Sequence, residues 1–508
     1  MLRTAHQHQA ANRTAGTAPL RRPGAVAMRD IGFRRNERLP GGRAVAQHPL
    51  CRTDENARLL RYEDEIKQAF DAIVPTLKLI SAIQHERDFE VQAQRIARDG
   101  LGFELPGNIL ADAWVGQLDM RRLFAWCVFH TYRRFCDEFF TAGPLAGAAD
   151  GDFDTVLQSC GFHTLDISPC ADGRLAHLVR YVLRLPPRAV RRKSYAGAMF
   201  DVEDSIQKWM EIELQRFREG RPNSSDAATR YLKVAAYHFS TGDPEHEGCA
   251  AHGSDTRKAA QAALDRLINF RQAIENSFCC GASIDLLLIG IDTDTDAIRV
   301  HVPDEEGRME LGGYVDALTV HAETDRLGAT EAIRAIDEAI RACTPQVTTG
   351  MSQLIARLLE NNLSQIDYVR VRHGAGYPDI GHAERFIGAG VGFEDIQLRN
   401  LMYFAYLNTV EDGAADLDVG IRIFRGLNVV HGLPVPVVVR FDYHGNVPGA
   451  RERAEQRCGR VAQALSDRYA DLCRQGLLHV LQVARDCDGD GPLDILACSV
   501  DASVAGGH

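Results

Sequence analysis

His163-Thr-Leu-Asp-Ile-Ser-Pro-Cys-Ala-Asp-Gly-Arg-Leu175 begins as an apolar, strand-like run, breaks at Ser168-Pro169, and then presents Cys170, Asp172 and Arg174 on alternate positions before a helical segment. In an extended chain alternate side chains share one face. On that reading a soft metal ligand, a carboxylate and a guanidinium project together into one cleft. A strand that ends in such a set and feeds a helix is the unit of an α/β sheet, whose chemistry gathers at the carboxyl ends of its parallel strands.

The alternation continues downstream. A helix over about 174–184 is stopped by Pro186-Pro187, and a basic turn follows with Arg188, Arg191, Arg192 and Lys193. A phosphorylated effector could use that turn, but a solvated face is the simpler reading. An amphipathic helix covers 201–219, Tyr231–Phe239 reads as a strand, 254–277 as a helix and Ser283–Ile291 as a strand.

This order recurs. Residues 234–296 run strand, turn with Asp243-Pro244, helix, strand and the acidic triplet Asp292-Thr-Asp294-Thr-Asp296. Residues 437–490 run strand, turn with Val447-Pro448-Gly449, helix, strand and Asp486-Cys-Asp488-Gly-Asp490. Duplication accounts for the match. The alignment sets Asp442 against His238, and Leu417-Asp418-Val419 against Leu165-Asp166-Ile167, which puts Arg422 where Cys170 stands. The second copy therefore lacks a metal site. Asp486 to Asp494 imitates the opening of a calcium-binding loop, yet the twelfth position is Ala497 rather than Glu. A solvated turn is expected there and at Asp292–Asp296.

Upstream, from Cys51 to about Phe140, the periodicity is helical: Leu59, Leu60, Ile66, Phe70 and Ile73 recur up to Pro75, and Leu118, Leu123, Trp126, Cys127, His130 and Tyr132 continue it. Gly143-Pro144, Gly147 and Gly151 mark a linker. The expected organisation is an arm over 1–50, a helical domain over 51–147, an α/β domain carrying Cys170 over 148–385, and its degenerate repeat over 386–508.

A chain of 508 residues is too long for one core, and 25% charged with 45% hydrophobic residues reads as globular. No apolar run approaches the roughly 18–20 residues of a membrane span, and the N-terminus has no apolar core of the secretory kind. The net charge of −11 hides an asymmetry: residues 1–50 carry nine Arg against Asp30 and Glu37, a surplus of +7, which leaves −18 for the remainder. Such an arm cannot bury enough apolar surface to fold alone and suits an acidic partner. Nucleic acid is disfavoured because only Phe33 is available for stacking. A mitochondrial transit peptide would have a similar composition.

Thirteen cysteines without regular spacing do not make a disulfide framework, so the compartment is expected to be reducing. Cys279-Cys280, a candidate redox pair, borders a strand and reads as core. Cys170 and Cys249 can act as thiolates, and His238 ends a strand eleven residues before Cys249. Two Cys, one His and one open position are the ligands of a catalytic zinc site. Buried cysteines and a satisfied strand histidine are the competing reading.

Cys170-Ala-Asp172-Gly-Arg174 fits the Cys-x-Asp-x-Arg signature of β-class carbonic anhydrases. With Tyr237-His-Phe-Ser240, Gly248-Cys-Ala-Ala-His-Gly253, Cys279-Cys-Gly-Ala-Ser283 and Asn362-Leu-Ser-Gln-Ile-Asp367, the chain resembles the carboxysome shell carbonic anhydrase family, a divergent β-type once called the ε class, over nearly all of 51–508. The resemblance implies an α/β (α+β) fold: an N-terminal helical domain followed by two β-carbonic-anhydrase-like domains related by duplication, the second lacking zinc. It makes Cys170, His238 and Cys249 the Zn2+ ligands and Asp172 and Arg174 the catalytic pair, with Arg174 clamping Asp172 so that the carboxylate orients the reacting hydroxide. Ten residues separate His238 from Cys249 instead of the two of ordinary β-class enzymes, so the loop 239–248 must fold back.

His382, in Asp379-Ile-Gly-His-Ala-Glu-Arg385, fits a family-like motif and is the leading proton relay; His252 and His163 lie close to ligands but read as packed. Two thiolates neutralise the ion, so activity is expected to favour alkaline pH. The implied function is interconversion of carbon dioxide and bicarbonate inside an α-type carboxysome, supplying rubisco, with the arm tethering the enzyme to rubisco or shell protein and the chain forming a homodimer or larger assembly. A zinc deaminase is the rival enzyme, but its His-x-Glu and Pro-Cys-x-x-Cys pairings are absent. An inactive shell scaffold is the rival outside catalysis.

Overall fold

Runs of apolar and β-branched residues form the central strands of two sheets in the computed structural model. It describes residues 47–500 apart from 115, 143–150, 187–189, 225–228, 278–282, 375, 379–380, 394–395 and 490. The first sheet holds β1 (Thr164–Pro169), β2 (Arg191–Arg192), β3 (Arg230–Phe239), β4 (Ser283–Asp292), β5 (Ile298–His301) and β6 (Tyr314–Asp316) in the order β2-β1-β3-β4-β5-β6. The second holds β7 (Phe386–Val391), β8 (Met402–Tyr406), β9 (Val435–Phe441), β10 (Leu478–Ala484) and β11 (Asp494–Cys498) in the order β11-β10-β9-β7-β8. The first four strands of each pair in parallel and the fifth is antiparallel. Five strands thus recur with the same neighbours and directions, as duplication requires.

The register corrects one alignment. Phe239 pairs with Asp292 and Tyr443 bridges Asp486, which keeps Asp442 in the place of His238. The counterpart of β1, however, is β7: Leu417, Asp418 and Val419 lie in the helix Ala414–Leu427. Pro169 pairs with Ala236 and Gly390 with Arg440, so Val391 stands where Cys170 does. Arg422 is helical and has no such place. In the second copy Val391 and Asp442 stand at the positions of Cys170 and His238, and Asp442 is forked by buried Arg440 through Nε at 2.7 Å and Nη2 at 2.9 Å.

The acidic triplets are not solvated turns throughout. Asp292, Asp294 and Asp296 are buried, and the first two accept hydrogen bonds from Thr241, Gly242 and Ser240, which folds the loop after β3 back on itself. In the second copy Asp486 accepts from Gly445 N and Asp488 from Asn446 N, the same device in a more exposed loop. The described part of the basic stretch is likewise internal: Arg191 bonds Asp166 at 2.6 Å and Asp204 at 2.6 Å, and Lys193 pairs with Asp204. These side chains line a cavity of about 530 Å³ but arrive there already paired.

The helices Thr53–Asp71, Ile73–Ala82, Phe89–Leu101, Gly107–Asp112 and Met120–Ala142 form the N-terminal part. Pro75 does not end helical structure but sits in the first turn of the second helix, where its missing N–H costs nothing. This bundle covers one face of the second sheet. Val438 of β9 joins the core of the bundle, whereas Val437, Val439 and Phe441 face the helices Ala414–Leu427 and Ala450–Arg468. Of the stretch read as an arm, residues 1–46 lie outside those described, and His48 is buried, its N–H on Asp367 Oδ2 at 2.7 Å and its Nε2 2.8 Å from Thr324 Oγ1.

Candidate metal centre

β1 ends at Pro169, and the chain does not stay extended. Cys170 bridges Tyr195, and Asp172 caps a 3-10 turn, Gly173–Leu175, by accepting from Arg174 N at 2.9 Å. A π turn, Leu178–Val182, replaces the expected regular helix, and the carbonyls of Val182 and Leu183, which Pro186 and Pro187 could not satisfy, accept from Asn362 at 3.4 Å and Asn361 at 2.8 Å of the helix Thr349–His373. Cys170, Asp172 and Arg174 therefore converge through a tight buried turn rather than through strand alternation.

β3 carries His238 at its carboxyl end, and the folded-back loop returns Cys249 to it. One ligand atom from each of Cys170, His238 and Cys249 lies within 4.8 Å of the others, and all three residues are buried. The sulfurs are 4.0 Å apart. Two thiolates about 2.3 Å from one tetrahedral ion would be roughly 3.8 Å apart, so the spacing fits zinc. The Cys249 sulfur and burial push the Cys170 thiol well above its ordinary pKa, which is the response of two sulfurs that need a cation to ionise together. His238 Nδ1 is buried without a hydrogen-bond partner. Gly197 N donates to Cys170 Sγ at 3.3 Å from a left-handed turn, and Asp416 of the second copy holds the preceding Ala196 N at 3.0 Å.

Arg174 grips Asp172 as a fork, Nε to Oδ1 at 2.9 Å and Nη2 to Oδ2 at 2.8 Å, while Nη1 reaches Glu247 O at 2.8 Å. Burial opposes ionisation of Asp172, but Arg174 and then His238 outweigh it and hold the carboxyl well below the usual range. Asp172 Oδ2 lies 3.4 Å from His238 Nε2. The carboxylate is thus ionised, immobilised and beside the Cys170, His238 and Cys249 cluster.

His382 falls at this site: one atom each of Asp172, His382 and Glu384 lies within 4.8 Å of the others. Burial lowers the His382 pKa, but Glu384 and Asp172 overcome it and raise it to about 9. His252 Nε2 lies 3.3 Å from Gly197 O, beside the centre, whereas His163 is exposed and accepts from Arg230 N at 3.0 Å at the opposite end of β1 and β3, so it is neither packed nor near the site. Cys279 and Cys280 lie outside the described residues. Sequence reasoning passed over Glu384, Glu247 and Asp416; Glu384 alone had a signal, its place two residues after His382.

Three family models match successive parts of the chain: Carboxysome Shell Carbonic Anhydrase, N-terminal, over 48–140; its catalytic domain over 152–382; and its C-terminal over 383–500. The chain is 56% identical over 467 residues to the carboxysome shell carbonic anhydrase of Parasynechococcus marenigrum (strain WH8102), covering 91% of this chain and 81% of the relative. It is 52% identical over 495 residues to that of Prochlorococcus marinus (strain MIT 9313), covering 96% of each. To that of Halothiobacillus neapolitanus (strain ATCC 23641 / c2) it is 45% identical over 467 residues, covering 89% of this chain and 90% of the relative.

Proposed function

The chain belongs to the carboxysome shell carbonic anhydrase family, and on that premise we propose that it is a zinc enzyme that interconverts carbon dioxide and bicarbonate inside an α-type carboxysome and supplies carbon dioxide to rubisco. The observation that carries the zinc assignment is the buried Cys170, His238 and Cys249 trio beside an Asp–Arg fork.

Cys170, His238 and Cys249 would hold the ion. When bound, zinc supplies Lewis acidity, which lowers the pKa of water from 15.7 to about 7. The protein does the rest. Arg174 occupies both oxygens of Asp172, so the carboxylate is kept from collapsing onto the cation and stays available as a hydrogen-bond acceptor for the reacting oxygen. Glu247 restrains the far side of the guanidinium, which fixes the fork in one orientation. His382, whose side chain is 27% exposed, moves the proton from the buried site to solvent.

The basic arm is the proposed tether, to rubisco or to shell protein, both offering acidic surfaces. Removing residues 1–46 should leave hydration unchanged and lose encapsulation; an encapsulated truncation would refute the tether. Metal analysis with stopped-flow hydration on the purified chain tests the enzyme assignment. A zinc-loaded chain without hydration activity would leave an inactive shell scaffold instead.

A further inference from the structure

Glu384 is a buried carboxylate with half of its bonding capacity in use. Its Oε1 lies 2.9 Å from His382 Nδ1, and its Oε2 is buried without a hydrogen-bond partner. It stands just before β7, at the start of the part matched by the C-terminal family model, while His382 closes the part matched by the catalytic one. The pair therefore bridges the two repeats. Its position is enforced from below: Asn400 N donates to Gly173 O at 3.0 Å and Asn400 Nδ2 to Gly381 O at 2.9 Å, which ties the turn carrying Asp172 to the segment carrying the pair.

A carboxylate against one imidazole nitrogen does two things. It keeps the proton of the neutral ring on that nitrogen, leaving the other as the free base, and it stabilises the imidazolium once a proton arrives. A relay needs both, because the ring must accept at a fixed atom and then release outward. Here Nδ1 is committed to Glu384, so Nε2 is the atom left to exchange protons. The charged groups facing His382 are Glu384, Asp172 and Arg174. Of these, Glu384 is the one hydrogen-bonded to the ring.

We propose that Glu384 is a positioning residue, supplied by the degenerate repeat, which fixes the tautomer and orientation of His382 for proton export. This rests on His382 being the relay. The test compares the holoenzyme with Glu384→Gln, which keeps the volume over Gly173 but not the charge, and with His382→Ala. Carbethoxylation of His382 as a function of pH, read by peptide mass spectrometry, gives the midpoint of the ring directly; hydration at low and high buffer concentration gives proton export.

In Glu384→Gln the midpoint should fall by about one pH unit or more, and hydration should become buffer-dependent, with added imidazole restoring it as it does in His382→Ala. An unchanged midpoint together with buffer-independent hydration in Glu384→Gln, while His382→Ala depends on buffer, would overturn the role of Glu384 alone. Buffer-independent hydration in His382→Ala would instead sink the relay. Should Glu384→Gln not fold, Glu384→Asp, which withdraws the carboxylate from Nδ1, carries the same two readouts.

Discussion

Glu384 Oε1 stands 2.3 Å from the point that a Cβ on residue 173 would occupy, so the turn carrying Asp172 and the carboxylate holding His382 fit together only because residue 173 is glycine. Gly173→Ala must push Glu384 aside or shift the turn. Overpacking of this kind costs about 1–3 kcal/mol. We expect a lower melting temperature with hydration reduced roughly tenfold or more, since the same contact sets Asp172 and His382. Wild-type hydration in this variant would mean that Glu384 can swing away without consequence.

The metal stoichiometry should be one zinc per chain, because Val391 and Asp442 stand where Cys170 and His238 do. Cys249→Ala should bring bound zinc to background, and chelation of the wild-type chain should lower its melting temperature reversibly. Restoring zinc at about 100 times its dissociation constant returns roughly 2.7 kcal/mol. Two equivalents of tightly held zinc per chain would contradict the loss of the second site.

Asp172 and Arg174 should separate metal binding from turnover. Asp172→Asn keeps the shape but halves the fork, and we expect hydration to vanish while zinc content stays at the wild-type level. Arg174→Met leaves a buried carboxylate without its guanidinium and should cost about 3–5 kcal/mol of stability. Elemental analysis beside calorimetry distinguishes these outcomes; zinc lost from Asp172→Asn would make Asp172 a structural residue.

Asp416 offers a pH test that needs no assay of activity. Burial raises its pKa to about 6 against the hold of Ala196 N. The fold therefore prefers the neutral acid, and the contribution is present below the ordinary value near 4 and lost as pH rises through about 6. Asp416→Asn retains an acceptor for Ala196 N without the charge. Relative to wild type it should gain up to ~3 kcal/mol in chemical denaturation at neutral pH and almost nothing near pH 4; a pH-independent difference would show that the carboxylate is not the cause.

Hydration should rise from about pH 6 to about pH 9, because two thiolate ligands acidify water less than neutral imidazoles do. A flat pH–rate profile across that range would contradict the ligand set.

Legibility along the chain followed the range of the forces involved. Cys170, His238 and Cys249 could be picked out because few residue types bind zinc and each stands at the end of a readable strand or in the loop that follows one. The irregular turn after Pro169 could not, since Asp172 caps it and Asn400, more than 200 positions away, takes its Gly173 carbonyl. Phe386-Ile-Gly-Ala-Gly-Val391 hid β7 behind its glycines, whereas Leu417-Asp-Val419 imitated a strand in three residues of an amphipathic helix. Glu384 was passed over because a carboxylate near a histidine usually lies on the surface, whereas here it is buried and packs against Gly173.

The two sheets share one covalent chain, and this frees them from a constraint that identical subunits cannot escape. In an assembly of identical halves every substitution appears twice, so a change that improved the supporting half would damage the reacting one. With the halves fused, Asp442 could stand at the position of His238 in one half and Glu384 could turn towards its neighbour's chemistry, while His238 stayed as it was in the other.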